Sequence, residues 1–135
     1  MDKYFEQYLR KNNFKKYFKS LIHKLKNKSV IIYGTGILFQ YIAKNYDLSQ
    51  FNIIGISDMK YSDEMEEKFD LGYKIIPMNK IIDYNPDFVL LSVEKYFTLI
   101  ESMQNDKFRN TNIQVLPLVK KNLLDVINTI WKRGK

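Results

Sequence analysis

The chain has 135 residues, of which 45% are hydrophobic, and its net charge is +7. That length suits one domain, and the apolar content is enough for a buried core. With no cysteine and one histidine, the sequence excludes disulfides, thiolate metal sites, a cysteine nucleophile and a multi-histidine metal site within one chain. No apolar run approaches the roughly 20 residues needed to cross a bilayer, and the polar N-terminus lacks a secretory signal. We therefore expect a cytoplasmic protein.

The positive charge is concentrated at the N-terminus. Residues 1–28 contain nine basic and two acidic residues, whereas residues 29–135 contain 13 of each. We therefore predict two parts, a basic helical extension at 1–28 and a neutral globular domain at 29–135.

Residues 3–26 predict two amphipathic helices separated at Asn12-Asn13, with apolar residues on one side and lysines on the other. Three interpretations stay open. The apolar side packs on the domain or on a second subunit, as in a homodimer; or the helices lie on an anionic membrane surface; or they contact nucleic acid. Nucleic acid is the least favoured, because the rest of the chain is neutral and carries no recognition motif.

A βαβ unit follows. Residues 29–33 are a short apolar, β-branched run typical of a buried parallel strand, residues 37–46 have helical spacing, and residues 51–58 predict a second strand.

The chain then continues to alternate. We predict strands at 72–77, 87–93 and 112–117, and helical turns at 79–84, with Asn79 as N-cap, and at 96–103. The acidic stretch 61–70 predicts a solvated loop or a short irregular helix. A C-terminal helix is predicted from an apolar stripe: Leu123, Val126, Ile127, Ile130 and Trp131.

This alternation predicts an α/β fold, a Rossmann-like, doubly wound and mostly parallel sheet of about five strands with helices on both faces. Ligands of such sheets bind beyond the carboxyl ends of the strands. The loops after the predicted strands are therefore the candidate site. Its predicted ligand-binding residues are Gly34, Thr35, Gly36, Ile37, Leu38, Asp58, Ser92 and Val93.

Gly34-Thr35-Gly36 lies between a predicted strand and a predicted helix, where glycines allow a sharp turn and a phosphate can approach the backbone. Phe39 occupies the position where the full dinucleotide fingerprint has glycine or alanine. Asp58 ends the second strand 24 residues after Gly34, where an acidic residue can accept hydrogen bonds from ribose hydroxyls and repel a 2′-phosphate. The alternatives are that the glycines serve only the turn and that Asp58 is a solvated or capping carboxylate.

Catalytic signatures are missing. No tyrosine is followed by lysine four residues later, and there is no phosphate-binding P-loop, nucleophile elbow or zinc-protease motif. The acidic stretch fits no metal loop. Whether the chain is an enzyme stays open, since Glu94, Lys95 or Tyr96 could complete a site between subunits.

Four segments resemble one family in their order. They are Val-Ile-Ile-Tyr-Gly-Thr-Gly at 30–36, Ile-Ile-Gly-Ile-Ser-Asp at 53–58, Gly-Tyr-Lys-Ile-Ile-Pro at 72–77 and Asp-Phe-Val-Leu-Leu-Ser-Val at 87–93. They resemble the small Rossmann domain of bacterial nucleotide-sugar dehydratases and epimerases of polysaccharide synthesis, and that of bacterial sugar acetyltransferases. The resemblance implies NAD or a nucleotide sugar held at Gly34, Gly36 and Asp58, and a link to surface-polysaccharide biosynthesis. The alternative is a non-catalytic interaction module with a degenerate Rossmann fold, its partner surface on the N-terminal helices.

Overall fold

The computed structural model of the chain describes residues 2–122. Its helices are α1 (Asp2–Lys11), α2 (Phe14–Lys24), α3 (Ile37–Asn45), α4 (Ile81–Tyr84) and α5 (Phe97–Ser102). Its strands are β1 (Ser29–Tyr33), β2 (Asn52–Ser57), β3 (Phe69–Asp70), β4 (Tyr73–Lys74), β5 (Phe88–Leu91) and β6 (Gln114–Pro117). The predicted C-terminal helix lies outside the described residues.

Four strands form one parallel sheet in the order β2-β1-β5-β6. The α/β, doubly wound prediction is confirmed. The remaining predicted strand, at 72–77, contributes β4 to a separate antiparallel pair with β3, and it is bridged to β2 of the main sheet at Ile56–Ile75. Gly55 permits this approach, since a Cβ there would lie 2.8 Å from the Lys74 carbonyl oxygen.

The sheet separates two apolar clusters, because successive side chains of a strand point to opposite faces. In β1, Val30 and Ile32 join the first cluster, which also contains residues from α1, α2 and α3. Ile31 and Tyr33 join the second cluster, which contains Ile81 of α4 and the residues around α5. Both faces are therefore covered. This explains why the side chains at 30–33 in β1 and at 88–91 in β5 are apolar, apart from the Tyr33 hydroxyl.

The N-terminal helices pack on the first face of the sheet. Phe5, Leu9, Phe14 and Leu21 are buried in the same cluster as the strand residues, while the lysines of these helices face solvent. The first interpretation of the amphipathic pattern, an apolar side packed on the domain, is confirmed. The break between the helices falls at Asn12-Asn13, as predicted.

Two local predictions change. Lys80, not Asn79, is the N-cap residue of α4. The side-chain amide of Asn79 instead donates to the carboxylate of Asp63 at 3.0 Å. The acidic stretch, predicted as a solvated loop or a short irregular helix, contains a 3-10 turn, Asp63–Met65, but it also forms strand β3, which was not predicted. The first change reflects a hydrogen bond to a residue 16 positions away, and the second reflects local antiparallel pairing of β3 with β4.

Candidate functional site

The loops after β1 and β5 meet at the centre of the sheet. The chain leaves β1 towards β2 on one side, and later returns to β5 on the other side of β1. A crevice outside the carboxyl ends of the strands forms where the strand order reverses in this way. The Gly34 amide donates to Ser57 of β2 at 2.9 Å, and the Ser92 amide donates to Tyr33 of β1 at 2.9 Å. These bonds extend the ladders into the loops and fix their positions.

Gly34 is required by the local structure. Its φ is +104°, a conformation that L-residues rarely adopt. A Cβ at this position would lie 3.1 Å from both the Ser92 hydroxyl oxygen and Cγ1 of Val93. The Ser92 hydroxyl also donates to the Gly34 carbonyl. Ser92 and Val93 therefore pack against the glycine turn, and Ser92 is almost fully buried there.

Gly36 differs from Gly34 in every one of these respects. Its φ is −78°, which any residue adopts, and no atom lies within 4 Å of the place where a Cβ would stand. It is exposed and is the N-cap residue of α3, with no side-chain cap. The N–H groups of the first helical turn have no intrahelical acceptor. Ile37 is 55% exposed, whereas Leu38 is buried.

Thr35 is tied to Asp58. The Thr35 amide donates to Oδ2 of Asp58 at 2.8 Å, and the Thr35 hydroxyl donates to the same oxygen at 3.0 Å. The other oxygen, Oδ1, accepts from the Lys60 amide at 3.1 Å. A carboxylate offers about four lone-pair positions, so Oδ1 retains one for a further donor. The structure thus brings the two predicted segments together, with Asp58 as the anchor of the loop.

The charge of Asp58 is stabilised inside this arrangement. Partial burial would by itself raise the pKa of Asp58. The amides of Thr35 and Lys60, the Thr35 hydroxyl and the Lys60 charge together outweigh burial and hold the pKa below its usual value. Asp58 is therefore ionised at neutral pH.

Tyr61 extends the hydrogen-bond network of Thr35 and Asp58 to Asp70. Its buried hydroxyl donates to Oδ2 of Asp70 at 2.7 Å and lies 3.4 Å from the Thr35 hydroxyl. Burial is the main reason that the pKa of Tyr61 rises to about 12, and the carboxylates of Asp70 and Asp58 add to it. Lys60 Nζ lies 4.0 Å from Asp70 and above the Tyr61 ring. Tyr61 ends the loop at 58–61, one of the loops predicted to form the site, but the sequence gives it no role, and Asp70 was not predicted; their proximity in space reveals the contact.

Two further groups near the crevice were not predicted. Ser57 is fully buried, and its hydroxyl has no hydrogen-bond partner among the described residues. Tyr33, its pairing partner across β1 and β2, is nearly buried, and burial and the Asp58 charge raise its pKa. An unpaired buried hydroxyl costs about 1–3 kcal/mol, so such groups call for an explanation.

Phe39 does not interfere with the glycine loop. Its ring is 1% exposed and packs in the first apolar cluster, with its centroid 6.3 Å from that of Tyr73. Helix α3 still begins directly after Gly36. The residue that departs from the dinucleotide fingerprint is therefore accommodated by the core, on the side away from the loop amides.

Glu94 and Tyr96 have structural partners, and Lys95 is exposed. Glu94 accepts from the Tyr4 hydroxyl of α1 at 2.7 Å, and the Tyr96 hydroxyl accepts from the Lys121 amide at 2.9 Å. Within residues 2–122, Glu94 and Tyr96 therefore hold other parts of the same chain, and a site completed by a second subunit stays a prediction. In the same part of the chain, no cluster of three His, Asp or Glu residues could hold a metal, and no helix is long and apolar enough to span a membrane.

The parallel sheet, its reversal beside β1 and the glycine turn define a Rossmann-type α/β fold. No protein-family model and no curated protein matches this sequence. Two solved structures are similar in fold. One is RSP in complex with β-NADH, with 20% identity, a TM-score of 0.43 and coverage of 78% of this chain and 59% of RSP. The other is RSP in complex with β-NAD+ and operator DNA, with 19% identity, a TM-score of 0.44 and coverage of 78% and 56%.

The chain therefore spans less than two thirds of the RSP chain. At this level of similarity the likeness concerns the fold, and the ligands are those of RSP. No match supports the resemblance to nucleotide-sugar dehydratases, epimerases and acetyltransferases, and none supports the prediction that nucleic acid is disfavoured as a partner.

Proposed function

We propose that this protein binds a nucleotide diphosphate ligand, NAD or a nucleotide sugar, at residues 34–38 and Asp58. The observation that carries the proposal is the difference between the two glycines. Gly34 has a structural reason to lack a side chain, and Gly36 has none within the described residues. At a helix N-cap, serine, asparagine and aspartate cap better than glycine, so capping alone favours a side chain at position 36, and close approach of a ligand accounts for its absence.

The first turn of α3 supplies the complementary charge. Its amides carry no side-chain cap, and the partial positive charge of a helix N-terminus favours a phosphate. The Thr35 amide is already bound to Asp58, so the phosphate contacts come from Gly36 and the residues after it. Exposed Ile37 offers apolar surface beside this position.

Asp58 selects among nucleotides. The free lone pair on Oδ1 accepts one hydrogen bond from a ribose hydroxyl, while the ionised carboxylate repels a 2′-phosphate. NAD is therefore preferred over NADP. The Ser57 hydroxyl, which is buried beside Tyr33 at the end of β2 and has no partner among the described residues, is available to a polar group of the ligand.

The finer assignment rests on the sequence resemblance. The segments at 30–36, 53–58, 72–77 and 87–93 resemble those of nucleotide-sugar enzymes, which supports a role in surface-polysaccharide biosynthesis, and a partner enzyme would then perform the chemistry. A non-catalytic interaction module is the second candidate. It is favoured by one observation, that the polar groups of Thr35 and Asp58 satisfy each other without a ligand.

A thermal-shift screen separates these candidates. The ligands are NAD+, NADH, NADP+, ADP and several UDP- and GDP-sugars. A ligand that binds only the folded state stabilises it by about 2.7 kcal/mol at a hundredfold excess over its dissociation constant. We expect a shift with NAD or with a nucleotide sugar and a smaller shift with NADP+. Well-folded protein that responds to none of them supports the interaction module instead.

A further inference from the structure

A concave groove lies between α2, the end of β6 and the start of α5. It consists of two adjoining cavities of about 480 Å³ and 400 Å³, which share Tyr17, Ser20 and Lys120 in their walls. It is built from other residues than those of the glycine loop. We call it the lysine groove, after the four lysines that line it: Lys16, Lys24, Lys120 and Lys121.

The lysine groove carries charge of one sign. No Asp or Glu lies among the described residues of its walls. Lys16 and Lys24 stand eight residues apart on α2, about 12 Å along the helix axis. The segment that carries Lys120 and Lys121 is fixed, since the Leu118 amide donates to Leu91 at 2.8 Å and the Lys121 amide donates to Tyr96 at 2.9 Å. Positive charge is therefore spread along the length of the groove, on both of its sides.

Aromatic surface accompanies this charge. Phe97 lies in the groove wall, is 38% exposed, and packs against Tyr96 with 4.6 Å between ring centroids. Tyr17 is held in the floor, because its hydroxyl donates to the Pro117 carbonyl at 2.6 Å. Lysines that follow a backbone, with a supported aromatic ring between them, are the combination that binds single-stranded nucleic acid without sequence preference.

We propose that the lysine groove binds single-stranded nucleic acid, with its lysines on the phosphodiester backbone and a base stacked on Phe97. A membrane surface fits less well, because the groove is concave and the apolar sides of α1 and α2 are buried in the core, where they cannot insert into lipid. The sequence disfavoured nucleic acid because it placed the charge in a separate extension. The structure joins that charge to Lys120 and Lys121, about 100 residues later in the chain.

Fluorescence anisotropy with a labelled oligothymidylate of about twelve nucleotides tests the proposal. We expect wild type to bind, and Lys16→Glu/Lys120→Glu to bind about tenfold more weakly or worse at low salt. The slope of log affinity against log salt should fall in magnitude by about 1.4, since each phosphate contact with a single strand contributes about 0.7. Phe97→Ala should also weaken binding about tenfold while the salt slope stays as in wild type.

The matched control is Lys44→Glu/Lys107→Glu, which changes the net charge equally at two exposed lysines outside the groove walls. Equal loss in both double variants would overturn the proposal, as would failure of wild type to bind at low salt. The proposal would also be overturned if polyglutamate competed as strongly as unlabelled oligothymidylate, or if the protein bound anionic phospholipid vesicles as tightly as the oligonucleotide. Gly36→Val tests the nucleotide site alone and should bind the oligonucleotide as wild type does, so the two proposals fail independently.

Discussion

The amide and hydroxyl of Thr35 donate to a single carboxylate oxygen of Asp58, at 2.8 and 3.0 Å. This contact ties the turn after β1 to the end of β2, so the glycine loop is held in place before any ligand arrives. Because Thr35 is fully buried and Asp58 is half-buried, the contact is shielded from water. Asp58 therefore serves the fold first, and any ligand contact uses its remaining lone pair.

Replacing Asp58 should cost stability even without ligand. Asp58→Asn keeps the shape but removes the charge and presents an N–H₂ group to one of the backbone donors, so we expect a loss of about 2 kcal/mol. Thr35→Val removes only the hydroxyl bond and should cost about 1 kcal/mol. Urea denaturation measures both. Equal stability of Asp58→Asn and wild type would contradict the anchoring role.

The contact between Asp58 and Thr35 also predicts that the free energy of unfolding depends on pH in the acid range. The pKa of Asp58 is lowered in the folded state, so its contribution is complete above the ordinary aspartate pKa and is lost as pH falls through the folded-state value. The difference in unfolding free energy between wild type and Asp58→Asn should therefore shrink on acidification. Denaturation at a series of pH values below about 5 measures it. A difference that stays constant throughout that range would show that the Asp58 charge contributes nothing.

The raised pKa of Tyr61 predicts a loss of stability at alkaline pH. Its pKa is raised from 10.0 to about 12, so the folded state retains the proton after the unfolded state has lost it. Its contribution is complete below pH 10.0 and is lost as pH rises through about 12. Absorbance titration of wild type minus Tyr61→Phe should show a tyrosine ionising near pH 12. A difference titration centred near the ordinary tyrosine value would refute the buried, hydrogen-bonded environment.

The two loop glycines should respond differently to alanine. Gly34→Ala places a side chain at φ +104° and 3.1 Å from two atoms, so we expect a loss of about 1–3 kcal/mol. Gly36→Ala should change stability by less than about 1 kcal/mol, because its φ suits any residue and the Cβ position is open, although alanine is a poorer N-cap residue than glycine. Thermal unfolding of both variants measures this. Comparable destabilisation by Gly36→Ala would give that glycine a structural role.

Gln104 protects the open edge of β6. Its side chain accepts from the Val115 amide at 2.9 Å and donates to the Ile113 carbonyl at 2.8 Å. Gln104→Ala should cost about 1–2 kcal/mol and increase self-association through the exposed edge. Urea denaturation and light scattering measure these effects. The control is Gln114→Ala on the same strand, whose side chain is exposed; equal behaviour of the two variants would contradict the capping role.

The main elements were predictable because their signals are local. The apolar run at 29–33 is buried on both faces, the helical spacing at 3–26 is interrupted only by two asparagines, and both patterns correspond to observed elements. Strand β4 lies within the strand predicted at 72–77, but β3 and its antiparallel pairing with β4 escaped prediction, because β3 has two residues and lies in an acidic stretch. The position of this pair depends on Gly55, which no pattern in residues 69–74 contains.

The residues proposed for the site were chosen from the sequence and stay a prediction, whereas their contacts with one another come from the structure. Gly34, Gly36 and Asp58 stand out by type and spacing, yet nothing in the sequence shows that the Asp58 carboxylate is already bound to Thr35. Tyr61 lacks a motif of its own, and its role follows from a contact with Asp70. Long-range hydrogen bonds of this kind depend on packing that a single sequence does not display.

Isothermal titration calorimetry of NAD+ and of a UDP-sugar, with wild type, Gly36→Val and Gly36→Ala, tests the central claim most directly. The account predicts that one of these ligands binds wild type, that Gly36→Val abolishes binding while its melting temperature stays near that of wild type, and that Gly36→Ala falls between them. Unchanged affinity in a folded Gly36→Val protein would contradict the claim, because the bare backbone at Gly36 would then play no part in binding.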